Sequence, residues 1–207
     1  MTASAVSRPP RLLVLSGSAR TGSFNRELVE LAALKARNLG AETTSVDLRA
    51  LALPVLDADL LQAQGMPAGA LRLRDWMAQH DGVLLSSPEY NALPSPLFIN
   101  AFDWLSLVQA EGEQPSGTAA TAGKPVGLMA ASPGALGGIR ALPIVRTYLS
   151  TNFAMVVVPE QLALPLADQQ LHAQRPDLER LAKPELDAVL DRLVASVVRQ
   201  ARWRISA

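Results

Sequence analysis

The sequence predicts an α/β fold, a three-layer sandwich whose five-stranded parallel sheet runs in the order 2-1-3-4-5. Short apolar runs alternate with helix-period segments along the chain, a pattern that calls for parallel pairing and right-handed crossovers. The runs at 83–86, 125–130 and 154–158 are apolar almost throughout, as strands covered on both faces are. Polar loops punctuated by glycine or proline follow the first, third and fourth runs. The order 2-1-3-4-5 makes those three strands neighbours, so the loops share one crevice beyond the strands' C-terminal ends.

Each element has its own signal. Residues 12–15 form the first strand and break into the loop Ser16-Gly17-Ser18-Ala19-Arg20-Thr21-Gly22-Ser23-Phe24-Asn25. A helix over 23–38 places Leu28, Leu31 and Ala32 on one stripe and stops at Gly40. Residues 42–48 carry Thr43, Thr44 and Val46 and make the second strand. Pro54, Gly65, Pro67 and Gly69 interrupt 51–69, which is expected to be mostly loop. Leu71, Leu73, Trp76 and Met77 mark a helix over 70–80, and the strand 83–86 leads into Ser87-Pro88-Glu89-Tyr90-Asn91. Leu97, Phe98, Ala101, Trp104 and Leu105 share the stripe of a further helix. Residues 111–123 lack an apolar period and are expected to form a surface loop or flap.

The strand 125–130 exits into Ser132-Pro133-Gly134-Ala135-Leu136-Gly137-Gly138, and a helix bearing Leu142, Val145 and Leu149 follows. Pro159 is expected to close the fifth strand, 161–177 to be irregular, and 183–202 to be a terminal amphipathic helix.

Composition narrows the function classes. At 207 residues with 49% hydrophobic and 18% charged, the chain is expected to be one folded domain over 11–207 behind a flexible arm, 1–10. Zero net charge argues against nucleic acid as a partner. The absence of cysteine excludes disulfides and thiolate chemistry and agrees with a cytoplasmic location. His80 and His172 are too few for a histidine-built zinc site and lie far from the serine-rich loops, so both are expected to be structural or solvated. No apolar run approaches the ~20 residues of a membrane span.

The first loop can then be tested against phosphate motifs. Gly17-Ser18-Ala19 fails the dinucleotide fingerprint, and Ser23-Phe24 stands where a Walker loop needs Lys-Ser/Thr. What remains is a hydroxyl- and amide-rich turn at a helix N-terminus with one arginine, a cradle for a phosphomonoester. Tyr90 adds a flat face, Pro88 exposes the amides after it, and Gly134, Gly137 and Gly138 allow close backbone approach. Together the loops suit a planar heterocycle on a phosphorylated chain.

These motifs resemble those of the NADPH-dependent FMN reductase family. Gly17-Ser-Ala-Arg-Thr-Gly-Ser-Phe-Asn25 is similar to its Gly-Ser-x-Arg-x-x-Ser-x-Asn signature, and Pro88-Glu-Tyr-Asn91 with Asn100-Ala-Phe-Asp-Trp104 to its second. The resemblance implies a flavodoxin-like fold, FMN as cofactor, NADPH or NADH as co-substrate, and a homodimer or homotetramer. It implies that Ser18, Arg20, Ser23 and Asn25 hold the FMN phosphate. Pro88, Glu89, Tyr90 and Asn91 would line the ring and ribityl chain, with Ser132, Gly134 and Gly137 opposite. Hydride would pass from NADPH through FMN to quinones, azo compounds, free flavin or metal oxyanions, with no catalytic side chain.

Leu93 and Ile99 depart from the serine and lysine usual in similar proteins; drift on a buried helix face is the expected reason, and a changed pocket wall or oligomer contact favouring a bulkier apolar substrate is the alternative. Two other readings compete: a flavodoxin-like electron carrier, which neutral charge and Arg20 disfavour, and a non-catalytic scaffold with an altered pocket. Arg20→Ala is expected to weaken FMN binding by about 1–3 kcal/mol, the scale of a charge-assisted hydrogen bond. Fluorescence titration with FMN checks this, and an unchanged affinity removes Arg20 from the site.

Overall fold

The computed structural model describes residues 8–171 and 178–206. The central sheet comprises β1 (Arg11–Ser16), β2 (Glu42–Asp47), β3 (Gly82–Ser86), β6 (Pro125–Ala131) and β7 (Val156–Leu164), all parallel in the order β2-β1-β3-β6-β7. Numbered among themselves, these five strands have the order 2-1-3-4-5. A separate two-stranded hairpin pairs β4 (Glu89–Tyr90) with β5 (Leu93–Pro94).

Alternation along the strands sends side chains to two cores. On one face Leu12, Val14 and Leu84 pack beneath α1 (Phe24–Asn38) and the long terminal helix α8 (Pro184–Ser206). On the other, Leu13, Leu15, Val83 and Leu85 meet α3 (Ala68–Gln79), α4 (Pro96–Leu107) and α6 (Ala141–Asn152). Phe98, Phe102, Tyr148 and Phe153 form a chain of tilted and edge-on ring contacts between α4 and the C-terminal half of α6.

Three segments depart from the expectations of pattern alone. Within 51–69 there is a helix, α2 (Ala58–Gln64), after a 3₁₀ turn at Leu48–Leu51. Asn100 Oδ1 accepts from the Leu56 N–H at 2.8 Å, and the Pro54 carbonyl accepts from Asn100 Nδ2 and Trp104 Nε1 at 2.8 and 2.7 Å. Side chains 44 to 50 residues away thus fix a segment whose own sequence has no period. Within 111–123 lies a one-turn helix, α5 (Gly117–Thr121), so this stretch is not a free flap. Its Gly117 N–H donates to the Val108 carbonyl, and Arg74 reaches Pro115. Lastly, Pro159 does not end the fifth strand. The register slips there from Val126 opposite Val157 to Leu128 opposite Gln161, and in this bulge of an edge strand the missing N–H costs no ladder bond. A short helix, α7 (Ala167–Leu171), follows.

Residues 1–7, most of the proposed arm, and His172 lie outside the described residues. Arg8 forms a bidentate ion pair with Asp81 (2.6 and 2.8 Å), and the Pro10 carbonyl accepts from the Glu42 N–H, so the chain is tied down before β1 begins. Among the described residues, no helix is long and apolar enough to cross a membrane.

The end of the sheet where the strands begin gathers helix C-termini, whose last carbonyls lack intrahelical donors. Cations supply them: Lys124 Nζ donates to the His80 carbonyl after α3, and Arg202 to the Leu39 carbonyl after α1. His80 is structural, its Nδ1 bonded to the Trp76 carbonyl at 2.7 Å and its pKa lowered by burial. Lys124 is only 5% exposed, and burial with nearby Arg204 depresses its pKa to about 8. Between that value and the ordinary 10.5 the unfolded chain binds more protons, so this residue makes stability rise with pH in that interval. Urea denaturation at pH 7 and 10 should show a rise of about 3 kcal/mol that Lys124→Met lacks; equal pH dependence in both proteins refutes the assignment.

Candidate active site

Three strand exits build the crevice. β1 ends at Ser16 opposite Ser86 of β3, and the chain turns at Gly17, whose N–H donates to the Ser86 carbonyl at 2.9 Å. A Cβ here would stand 3.0–3.1 Å from Ser87 Oγ, Ser95 Oγ and Phe98 Cβ, so a side chain requires those neighbours to shift by a few tenths of an ångström. Ser95 Oγ donates to the Gly17 carbonyl at 2.6 Å and accepts from the Phe98 N–H, capping α4 while pinning the first loop.

The first loop then opens onto the α1 N-terminus. Ser23 caps that helix, its Oγ accepting from the Arg26 N–H, and Ser18 Oγ accepts from the Arg20 N–H. The N–H groups of Phe24 and Asn25, first in the helix, have no intrahelical acceptor. Arg20 is exposed, its guanidinium 5.5 Å from the Phe24 ring centre. Ser18, Arg20, Ser23, Phe24, Asn25, Pro88, Glu89, Tyr90, Ala131 and Ser132 line one cleft of about 160 Å³. Of the sequence-predicted residues, those in the first loop, Pro88, Glu89, Tyr90 and Ser132 are therefore brought together.

Asn25 has a different principal task from the one sequence suggested. Its Oδ1 accepts from Ser86 Oγ (2.9 Å) and the Ala131 N–H (3.0 Å), while Nδ2 donates to the Ala131 carbonyl (2.9 Å). The amide bolts α1 to the ends of β3 and β6, and the residue's backbone N–H has no intrahelical acceptor.

Glu89 is likewise a brace. Its carboxylate, 7% exposed, accepts from the backbone N–H groups of Arg140 and Ala141 (2.9 and 3.2 Å) and from the Arg140 guanidinium. The pair joins the second loop to the start of α6 and so to the third loop. Burial raises the Glu89 pKa, but Arg140 and the two N–H groups outweigh it, and the net shift is downward.

Asn91 stands outside the cleft lining, in the hairpin turn, where it and Ala92 have φ of 53° and 68°. Positive φ at both central positions is the two-residue hairpin geometry that asparagine favours. Tyr90 and Leu93, paired across the hairpin, are 48% and 57% exposed, so Leu93 occupies a free rim and not a buried helix face. Ile99 does lie on α4, half-buried against the core.

In the third loop Ser132 Oγ accepts from the Gly134 N–H at 3.1 Å. Gly137 has φ +61°, and a Cβ there would come within 2.7 Å of the Leu164 and Pro165 backbone, so it shapes the loop from beneath. Gly134 is exposed with room for a side chain. Asn100, Asp103 and Trp104 lie away from the cleft: Asp103 accepts from Tyr148 Oη at 2.7 Å, and that bond with burial pushes the Tyr148 pKa up. Among the described residues no cluster of potential ligands could hold a metal.

The donor set fits a flavin mononucleotide. Two hydroxyls, two helix N–H groups without an intrahelical acceptor and a guanidinium belong to residues that line the cleft, and the lining carboxylate, Glu89, is neutralised by Arg140. Fold and cleft thus define a flavodoxin-like α/β protein whose hydroxyl- and amide-rich first loop shares a cleft with the exposed Tyr90.

Comparison with known proteins fixes the family. The model of the NADPH-dependent FMN reductase family matches residues 10–169, and the chain belongs to that family of oxidoreductases, whose redox pair is FMN with NAD(P)H. It is 37% identical over 153 residues to a quinone reductase of Escherichia coli, covering 71% of this chain and 73% of the relative. To a quinone reductase of Pseudomonas putida it is 30% identical over 186 residues, 89% and 92% of the two chains. The solved structure of FerB, a flavoenzyme NAD(P)H:(acceptor) oxidoreductase of Paracoccus denitrificans, shares the fold, with a TM-score of 0.71 at 23% identity over 94% of this chain and 98% of that one.

Glu89→Gln should lower stability by about 2 kcal/mol through loss of the charge-assisted bonds. Because the carboxyl pKa is depressed in the folded state, the Glu89 contribution is full above the ordinary carboxylate range and fades as pH falls through the lowered value. The parent and variant denaturation curves should therefore converge at acid pH, and a constant gap down to pH 2 would overturn the assignment.

Proposed function

We propose that this protein is an NAD(P)H:quinone oxidoreductase that holds FMN in the cleft between the exits of β1, β3 and β6. The observation that carries the reading is that Ser18, Ser23, Arg20 and the α1 N-terminus line one cleft together with Tyr90. The chemistry FMN supplies when bound is hydride acceptance from NAD(P)H and delivery to a second acceptor. The first-loop hydroxyls, helix N–H groups and Arg20 bind the phosphate and set the cofactor's position along the crevice. Pro88 and Tyr90 on one side and Ser132 and Gly134 on the other bound the ring, with Asn91 shaping the turn behind Tyr90. The Glu89–Arg140 brace keeps those two walls at a fixed separation, and no protein acid or nucleophile is required.

The open rim suits nicotinamide and acceptor visiting the same face in turn, which gives ping-pong kinetics. Exposed Tyr90, Leu93, Leu136 and Ile139 favour a flat apolar acceptor such as a quinone over a metal oxyanion. A homo-oligomer, as the family resemblance implies, and a cytoplasmic location, with which the absence of cysteine agrees, complete the reading.

The test is anaerobic mixing of the FMN-loaded protein with NADPH or NADH, followed by benzoquinone or chromate. Rapid bleaching by NAD(P)H and recovery by the quinone is expected. Bound FMN that neither nucleotide bleaches sinks the oxidoreductase, and faster recovery with chromate reverses the acceptor assignment.

A further inference from the structure

Arg49 lies outside every motif in the sequence, yet the fold brings it to the phosphate loop. It belongs to the 3₁₀ turn Leu48–Leu51 that follows β2. In such a turn residues three apart eclipse, and Leu48 and Leu51, 1% and 3% exposed, both face the core. Arg49 is therefore directed outward. Asp47 fixes where the turn starts: its Oδ1 accepts from the Arg49 N–H at 2.9 Å, while its Oδ2 pairs with Arg26 of α1 at 2.8 Å. Because β2 neighbours β1, the exit of β2 lies beside the first loop, and Arg49 Nη1 donates to the Ala19 carbonyl at 3.2 Å. A second guanidinium thus touches the residue between Ser18 and Arg20.

Charge gives this contact a meaning. A phosphomonoester carries about −1.5 to −2 near pH 7, and Arg20 balances only part of it. Among the described residues, Arg26 is paired with Asp47 and Arg140 with Glu89, whereas Arg20 and Arg49 form no ion pair. The two unpaired guanidinium groups flank the same loop, one from inside it and one from the neighbouring strand exit. A dianion at this loop answers both charges.

Building on the FMN reading above, we propose that Arg49 is the second cation of the phosphate site, reaching from the β2 exit to bind the FMN phosphate jointly with Arg20. The hydrogen bond to Ala19 holds the guanidinium in place beforehand, so little side-chain freedom is lost on binding.

Titration of parent, Arg49→Ala, Arg49→Lys and Arg20→Ala with FMN, and separately with riboflavin, which lacks the phosphate, tests this. The expected result is about tenfold weaker FMN binding by Arg49→Ala, comparable to Arg20→Ala. Riboflavin affinity should be unchanged, with partial recovery in Arg49→Lys. Equal losses for FMN and riboflavin would make Arg49 a loop brace and overturn the proposal. So would unchanged FMN affinity; if NADPH affinity then falls while NADH affinity does not, the residue serves the nucleotide 2′-phosphate instead. A parent protein that binds neither flavin overturns the underlying FMN reading, an outcome distinct from a parent that binds FMN and a variant that binds it equally well.

Discussion

The amide of Asn25 is the constraint on which the crevice depends. One planar group, 4% exposed, joins the first turn of α1 to Ser86 at the end of β3 and to both backbone groups of Ala131 at the end of β6. A carboxylate could not donate to the Ala131 carbonyl, and an alkyl group would orphan three buried polar atoms. Gly17 and Ser95 are tied into the same region, Gly17 by its bond to Ser86 and Ser95 by its bond to Gly17, so the α1 N-terminus is the point where three secondary elements are fastened together.

The molecule is electrically polarised along its strands. At their C-terminal ends helix N-termini and arginines make a positive region, and Glu89 there is cancelled by Arg140. At the opposite end the helices finish, and Lys124 and Arg202 answer their carbonyls directly. The cations at the second end are structural, as their bonding shows, whereas at the first end Arg26 and Arg140 are paired with carboxylates and Arg20 and Arg49 form no ion pair among the described residues. Similar residue types thus serve different ends because of where the parallel sheet puts them.

How much of this was legible in the sequence follows from the range of the forces involved. Strands 12–15, 83–86 and 125–130 were readable because burial on both faces demands continuous apolar runs, and their order followed from alternation. The three loops were readable as a shared site for the same topological reason. What stayed hidden was long-range hydrogen bonding. Nothing near Pro54 announces that Asn100 and Trp104 will hold it, and nothing near Asn25 announces Ala131, 106 residues away. Glu89 could be picked out as a motif residue but not as the partner of Arg140, and Arg49 left no local signal. The only clue to it was the strand order, which sets the exit of β2 next to that of β1.

The hairpin β4–β5 separates what the molecule must keep from what it can change. Glu89 and Pro94 form its base, clamped to α6 and buried, while Tyr90 and Leu93 stand free at the other end of the same two-residue strands. Between them the Asn91–Ala92 turn is held at positive φ, which restricts how the tip can flex. A substitution at position 93 alters the rim without disturbing the Asn25 junction or the phosphate loop. Side-chain size and polarity at position 93 are therefore uncoupled from the hydrogen bonds that fasten α1 to the ends of β3 and β6.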